Sequence, residues 1–259
     1  MPDLITLGIP DLVFCLPLAT GLRESGLFTL VRDEPAVLAH KLETRALAVS
    51  YISPIEYARN ASEYLIFPES AVVSSAGNDS LILYFRDGVR DVATLAVPAT
   101  SASDIILAKI LLAERYNIRP RFIPVAGDVE AMLARADAAL LAGDYALSAD
   151  RPPPLDLIEE WIATTDLPYV HGFLAAREDA LGVDARTAVS VAGKRGLEAI
   201  AAAGGELAAH IARFDYAFSD DAREGMMEFL RYAYYHGILP DVPELRFFEP
   251  AGPPDPGRN

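Results

Sequence analysis

Short apolar segments alternate with amphipathic segments along the first part of the chain. Residues 4–9, 28–31 and 46–52 are apolar runs of strand length, and each precedes a segment whose apolar residues recur at helical spacing. The predicted helices run from Pro17 to a stop at Gly26, over 34–43, and over 55–60 after Pro54. Three strand-to-helix units in succession predict a parallel sheet with crossover helices.

Three further short strands are predicted before residue 92, at 64–67, 71–74 and 80–85. After residue 92 the alternation of strands and helices restarts. The predicted strands there are 94–97, 121–124, 138–142 and 169–175, and the predicted helices are 102–116, 128–135, 155–165, 189–203, 206–214 and 220–235. Two such series predict two α/β lobes with a cleft between them. Residues 1–92 and 174–259 would form lobe I, and residues 93–173 would form lobe II. The alternative is a single doubly wound sheet.

The amino-acid composition argues against several classes of protein and of partner. The chain has 259 residues, of which 52% are hydrophobic, so a disordered chain is excluded. Its net charge of −15 and the absence of a Lys/Arg cluster argue against nucleic acid as a partner. The single cysteine, Cys15, and four scattered histidines show no metal-ligand spacing. No segment of membrane-spanning length or signal-peptide type is present in the sequence, which predicts no membrane partner and a cytoplasmic location.

A turn rich in hydroxyl groups follows the predicted strand 94–97. Ser101 and Asp104 have the spacing of a capping box, which places the start of the next helix near Ala102. Such a helix end can hold a carboxylate or phosphate, although the charge of Asp104 disfavours an anion there. The alternative is that Ser101 and Ser103 only cap a structural helix.

Small polar residues occur at several predicted strand ends, and they would face one cleft in the predicted fold. They are Asp11, Ser53, Ser74, Ser101, Ser103 and Asp144. Asp144 follows an apolar strand and a glycine, so it is the candidate for acid/base chemistry, because a carboxyl group at a dry cleft wall has a raised pKa. Its alternative role is to cap a helix over 145–149. His171, beside Gly172, is expected in the cleft wall rather than in catalysis.

Several short motifs, taken in order, resemble a known family. They are Leu16-Pro17-Leu18, Ser53-Pro54-Ile55-Glu56-Tyr57, the turn at Ser101 ahead of Leu111-Leu112-Ala113-Glu114-Arg115-Tyr116, Asp137-Ala138-Ala139-Leu140-Leu141-Ala142-Gly143-Asp144, Glu159-Glu160-Trp161 before Leu167-Pro168-Tyr169-Val170, and Val242-Pro243-Glu244-Leu245-Arg246-Phe247. Over nearly the whole chain, this series resembles the futalosine-pathway menaquinone biosynthesis family. The family has two branches: chorismate dehydratase and the enzyme that cleaves cyclic dehypoxanthinyl futalosine. The dehydratase branch is the closer match, because the Pro-Cys-Pro-Asn-Asp type loop of the other branch is missing.

The resemblance implies a fold like the type II periplasmic solute-binding proteins, with two lobes and an interlobe cleft. It also implies a lyase that converts chorismate to 3-[(1-carboxyvinyl)oxy]benzoate and water without metal or cofactor. The substrate, chorismate or another carboxylate, would be held by hydroxyl groups, by helix ends and by the first loop, which is the segment 10–15 after the first predicted strand. Asp144 is the predicted catalytic residue. The predicted substrate-binding residues are Asp11, Phe14, Cys15, Ser53, Ser74, Ser80, Ser101, Ser103 and His171.

The chain departs from the dehydratase pattern at three places. Asp11-Leu12-Val13-Phe14-Cys15 replaces an Asn-Tyr-Leu-Asn-Ser type loop, Asp79 stands where an arginine is usual, and Ser101-Ala102-Ser103-Asp104 replaces Ser-Arg-Thr-Ser. Each change weakens recognition of a dianion. If Asp11 and Phe14 point into the cleft, chorismate should be a poor ligand.

Two alternatives to the dehydratase follow from these departures. One is a non-catalytic or divergent protein that binds another small carboxylate on the same fold. The other is the futalosine-cleaving branch, with a base near Asp144 or His171.

The oligomeric state is open as well, because the apolar C-terminal residues can form either a homodimer face or part of the core. They are Tyr232, Tyr234, Tyr235 and Ile238.

Overall fold

The computed structural model describes residues 4–98, 101–144 and 155–249, and these fold into two five-stranded sheets with helices packed on them. The strands are β1 (Ile5–Gly8), β2 (Phe28–Val31), β3 (Val49–Ile52), β4 (Leu65–Ser74), β5 (Leu81–Phe85), β6 (Thr94–Val97), β7 (Arg121–Pro124), β8 (Ala138–Ala142), β9 (Leu155–Asp156) and β10 (Tyr169–Ala176). The first sheet has the order β2-β1-β3-β10-β4, and the second has the order β7-β6-β8-β5-β9.

Helices connect and cover the strands. In the described ranges they are α1 (Leu16–Ser25), α2 (Pro35–Glu43), α3 (Pro54–Arg59), α4 (Ala102–Tyr116), α5 (Val129–Leu133), α6 (Leu157–Thr165), α7 (Val183–Ala203), α8 (Gly205–Ile211) and α9 (Asp220–Tyr235), and a short 3-10 turn, Val13–Cys15, precedes α1. None of these helices combines the length and apolar composition that crossing a bilayer would require. Tyr232 and Ile238 pack against the core, whereas Tyr234 and Tyr235 are exposed.

The predicted α/β fold with two lobes is confirmed, and the single-sheet alternative is wrong. Strands β1, β2 and β3 are parallel, as the strand-to-helix units predict. Strand β10 is antiparallel to both β3 and β4, so the first sheet is mixed. The predicted strands 64–67 and 71–74 are one strand, β4, whose pairing with β10 is irregular around Pro68, a residue with no amide hydrogen to donate.

The sheets divide the chain at other points than the predicted boundaries. The boundary at residue 92 would put β5 in lobe I, yet β5 pairs with β8 and β9 in the second sheet. The boundary at 173 would cut β10, which lies wholly in the first sheet. These differences arise because β4 and β10 pair with each other at the crossing between sheets, a long-range contact that local periodicity does not contain.

Helices α1 and α7 are in backbone contact on the first sheet. A Cβ atom at Gly21 would overlap the carbonyl oxygen of Ala192, and a Cβ atom at Gly196 would overlap that of Pro17. Two glycines, one on each helix, therefore permit the close approach that buries Leu18 and Val189.

A small hydroxyl cluster joins α3, beside the first sheet, to the start of α4, beside the second. The Ser103 Oγ atom accepts a hydrogen bond from the Ile55 amide at 3.0 Å and donates one to the Ser53 Oγ atom at 2.9 Å. The Ser53 amide and hydroxyl both donate to Glu56 Oε2. All four residues are buried, so these bonds link the two halves of the molecule within the core.

We expect Gly196→Ala to lower the free energy of unfolding by about 1–3 kcal/mol or more, because the new methyl group must push α1 away from α7. Urea unfolding followed by circular dichroism measures this change. Arg195→Ala is the control, because Arg195 is an exposed residue of the same helix next to Gly196. Its effect should stay within about 0.5 kcal/mol. Equal stability of the two variants would contradict the close contact.

We expect Ser103→Ala to cost about 1–3 kcal/mol in unfolding free energy, because it leaves the buried Ile55 amide without its acceptor. The exposed Ser62→Ala is the control and should be neutral. A Ser103→Ala protein with unchanged stability but weaker ligand binding would return Ser103 to the binding set.

Candidate functional site

A cavity of about 510 Å³ lies between the two sheets. It is bordered by the segments that follow β1, β2 and β8, by the start of α4, and by β10. Six of the ten residues predicted for the site line it. They are Asp11, Phe14, Ser80, Ser101, Asp144 and His171.

Asp144 follows β8 and contacts the first loop across the cavity. Its Oδ1 atom accepts a hydrogen bond from the Val13 amide at 2.9 Å. The side chain is half-buried, and burial raises the pKa of the carboxyl group, although the Val13 amide acts in the opposite direction. Gly143 has a φ of +58° and lies against Leu12, so the chain can turn here toward the loop. The alternative helix over 145–149 lies outside the described residues.

Arg32 is a cavity residue that the strand-end argument missed, even though it directly follows β2. Its Nη1 atom donates to the Pro10 carbonyl oxygen at 2.7 Å and lies 3.6 Å from Asp11 Oδ1. Among the described residues that line the cavity, Arg32 is the only lysine or arginine. About a quarter of its side chain is exposed, which leaves the guanidinium accessible to an anionic ligand.

The first loop places both of its predicted contacts at the cavity. Phe14 is almost buried, with its ring 5.4 Å from that of His171, and the Tyr216 hydroxyl donates to its carbonyl oxygen. The Asp11 side chain is 83% exposed. This is the arrangement for which the sequence predicts weak chorismate binding, but the adjacent Arg32 offsets the charge of Asp11.

His171 is buried at the cavity wall and forms part of a polar network. Its Nε2 atom lies 2.7 Å from Ser74 Oγ, which also accepts a hydrogen bond from Asn78 Nδ2 at 2.6 Å. The Ser80 amide and hydroxyl donate to Asn78 Oδ1. Burial lowers the pKa of His171 to about 3, so its ring is neutral at physiological pH.

Ser101 lies at the first turn of α4, where it both caps the helix and lines the cavity. Its Oγ atom accepts a hydrogen bond from the Asp104 amide at 3.2 Å. Asp104 lines the cavity as well. The capping interpretation of Ser101 is therefore confirmed, and its hydroxyl also borders the cavity.

Four predicted residues do not line the cavity because they are fully buried behind its wall. They are Cys15, Ser53, Ser74 and Ser103. Burial raises the pKa of the Cys15 thiol well above its ordinary range, so the thiol is protonated and unreactive. Ser53 and Ser103 bond each other, and Ser74 bonds the cavity residue His171 from behind. Within the described ranges, no three His, Cys, Asp or Glu side chains are grouped to hold a metal ion.

Solved structures share this fold at low sequence identity. Protein AF1704 from Archaeoglobus fulgidus superposes with a TM-score of 0.72 and 18% identity, covering 91% of this chain and 98% of that one. The ligand-binding component of an ABC-type import system from Staphylococcus aureus superposes with a TM-score of 0.63 and 12% identity, covering 96% and 97%. The periplasmic aliphatic sulphonate binding protein SsuA from Escherichia coli gives 0.55 and 11%, covering 96% and 93%. The fold is that of the periplasmic binding proteins.

Sequence comparison adds a closer relative. Chorismate dehydratase from Thermus thermophilus is 27% identical over 192 residues, which are 67% of this chain and 70% of that protein. The sequence profile of a family described as menaquinone biosynthesis matches residues 5–235. This match spans most of the described residues, including every residue that lines the cavity, and the chain therefore belongs to the menaquinone biosynthesis family.

Proposed function

We propose that this protein is a carbon–oxygen lyase of the chorismate dehydratase type, which converts chorismate to 3-[(1-carboxyvinyl)oxy]benzoate and water. The observation that carries the proposal is the half-buried carboxyl group of Asp144, which shares one cavity with the guanidinium of Arg32. Family membership and the Thermus thermophilus relative support this choice of substrate.

Two groups are suited to hold the carboxylates of the substrate. Arg32 supplies a cation with several N–H donors, and it can bind a carboxylate through two hydrogen bonds. Ser101 supplies a hydroxyl at the first turn of α4, where the helix dipole favours negative charge. They belong to segments beside different sheets, so a substrate held by both would bridge the cavity.

The reaction removes a proton from the ring carbon that carries the ether and a hydroxyl from the neighbouring carbon. The electron pair of the broken C–H bond forms the last double bond of an aromatic ring, and the C–O bond pair leaves with the hydroxyl. In chorismate the ether and hydroxyl lie on opposite faces of the ring, so the leaving proton and hydroxyl lie on the same face. One carboxyl group, Asp144, can therefore accept the proton and return it to the hydroxyl as water.

A divergent carboxylate-binding protein is the second candidate, and the cavity charge favours it. Five acidic residues line the cavity, Asp11, Asp33, Glu34, Asp104 and Asp144, and among the described lining residues Arg32 is the single lysine or arginine against them. Like charges near a dianionic ligand weaken its binding.

Incubation with chorismate separates the two candidate functions. Substrate and aromatic product are followed by chromatography against a protein-free control. Product formed only with protein supports the lyase. Ligand binding without product supports the second candidate.

We expect Asp144→Asn to lower kcat by about 10²–10⁴-fold, because the amide cannot accept the ring proton. The amide oxygen can still accept the Val13 hydrogen bond, so the fold should persist. In the native protein, kcat/KM should fall as pH drops through the pKa of Asp144, and burial places this fall above the usual aspartate range. Asp79→Asn is the control, since Asp79 pairs with Arg213 and is not a cavity residue. Full activity of Asp144→Asn would exclude Asp144 as the proton acceptor.

We expect Arg32→Gln to weaken substrate binding by about tenfold or more, because a charge-assisted hydrogen bond to a carboxylate is lost. The change should appear in KM more than in kcat. Steady-state kinetics with chorismate measures both values, and Arg23→Gln, on the exposed face of α1, is the control. An unchanged KM would remove Arg32 from the substrate site.

A further inference from the structure

A chain of buried polar side chains leads from the cavity residue Ser80 through Asn78 and Ser74 to His171. Ser80, Asn78 and Ser74 lie at or near the junction where the chain passes from β4 into β5, and His171 lies in the adjacent β10. The relative exposure of each residue is 6% or less. Buried polar groups need defined partners, so the direction of each hydrogen bond in this chain can be deduced.

The orientation of the Asn78 amide follows from its contact with the Ser80 backbone. A backbone N–H can only donate, and the Ser80 amide lies 3.2 Å from the atom assigned as Asn78 Oδ1. The oxygen of the side chain must therefore face Ser80, and the NH₂ group must face Ser74. It follows that Asn78 donates to Ser74 Oγ at 2.6 Å.

The proton of the Ser74 hydroxyl then has one acceptor. Among the described residues, the side-chain hydrogen-bond partners of Ser74 Oγ are Asn78 and His171. The Ser74 oxygen has two lone pairs, so it could accept hydrogen bonds from both Asn78 and His171. The buried Ser74 proton would then have no acceptor among the described side chains, whereas donation to His171 Nε2 gives every group in this chain of side chains a partner. We therefore expect the Ser74 proton to point to His171 Nε2. The nitrogen that receives it carries no proton of its own. A neutral imidazole with a bare Nε2 carries its proton on Nδ1.

We propose that Asn78 and Ser74 hold His171 as the Nδ1-protonated imidazole, and that its Nδ1–H donates a hydrogen bond to a carboxylate of the cavity ligand. His171 lines the cavity, and its described side-chain hydrogen bond uses Nε2 alone. The donor is neutral, so binding a carboxylate there needs no proton uptake by the ring, consistent with the low pKa of His171. Asn78 and Ser74 are positioning residues, and only the choice of a carboxylate ligand rests on the proposed function.

Nuclear magnetic resonance of ¹⁵N-labelled histidine rings tests the tautomer directly. The chain has four histidines, and His171→Gln identifies the His171 signals by their loss. We expect a protonated Nδ1 and a bare Nε2, unchanged from about pH 5 to 8. Addition of benzoate, a simple aromatic carboxylate, should shift the Nδ1–H resonance, whereas benzamide should shift it less. A protonated Nε2 in the native protein would overturn the proposal.

Asn78→Asp tests whether Asn78 and Ser74 set the tautomer of His171. Burial favours the protonated form of a carboxyl group at position 78, so the tautomer is followed as the pH is raised to about 9. Once ionised, the carboxylate can accept from Ser80 but cannot donate to Ser74, so the Ser74 proton should turn to residue 78 and the His171 proton should move to Nε2. Nδ1 would then face the cavity as an acceptor, and benzoate should bind about tenfold more weakly or worse. Ala76→Asp adds the same charge on the exposed part of the turn and should leave the tautomer unchanged.

The outcomes separate this inference from the proposed reaction. If chorismate is not converted but benzoate shifts the Nδ1–H signal, the lyase proposal fails and the His171 assignment stands. If chorismate is converted but Nε2 is protonated, the His171 assignment alone fails. If the tautomer is as expected but neither benzoate nor chorismate affects the Nδ1–H signal, the ligand role of His171 is refuted. If Asn78→Asp keeps the native tautomer and native benzoate affinity after its new carboxyl group has ionised, the positioning role of Asn78 and Ser74 is refuted.

Discussion

Strands β4 and β10 pair with each other at one edge of the first sheet. The chain passes from β4 into β5 of the second sheet, and it returns from β9 of the second sheet through α6 to β10. The pairing of β4 with β10 brings Ser74 opposite Tyr169, with His171 close by. The side chains at this junction therefore cannot move independently of the backbone that joins the two sheets. The cavity forms beside this junction, and its wall is built from the same strands that hold the halves together.

The segments that follow the first two strands contribute opposite charges to the cavity. The segments after β1 and β2 contribute Asp11 and Arg32, which lie near each other, while β8 contributes Asp144 from the opposite sheet. A carboxyl group that is half-buried and faces other acids is easier to protonate than an exposed one. The same environment that weakens binding of an anion therefore raises the pKa of the Asp144 carboxyl group above that of an exposed aspartate.

Much of this arrangement follows from local sequence patterns, and the part that does not is set by long-range contacts. The strands and helices follow from apolar periodicity, and Asp11 and Asp144 follow from their positions after strands. Arg32 obeys the same rule, but an arginine after an apolar strand resembles an ordinary exposed residue. Ser53 and Ser103 have the residue type and location of ligand contacts, yet they satisfy each other across an interface that only the folded chain creates. Asn78 bonds Ser74 and Ser80 within its own stretch of chain, and only the pairing of β4 with β10 brings His171 to Ser74.

The hydrogen bond from the Val13 amide to Asp144 joins the first loop to the far side of the cavity. A carboxylate accepts such a bond more strongly than a neutral carboxylic acid does. In the proposed reaction, Asp144 carries the ring proton only until it returns it to the departing hydroxyl, so its hold on the loop weakens during the chemistry and is restored once product and water have formed. The loop would then be held equally before and after each turnover, and product release would depend on other contacts of the cavity.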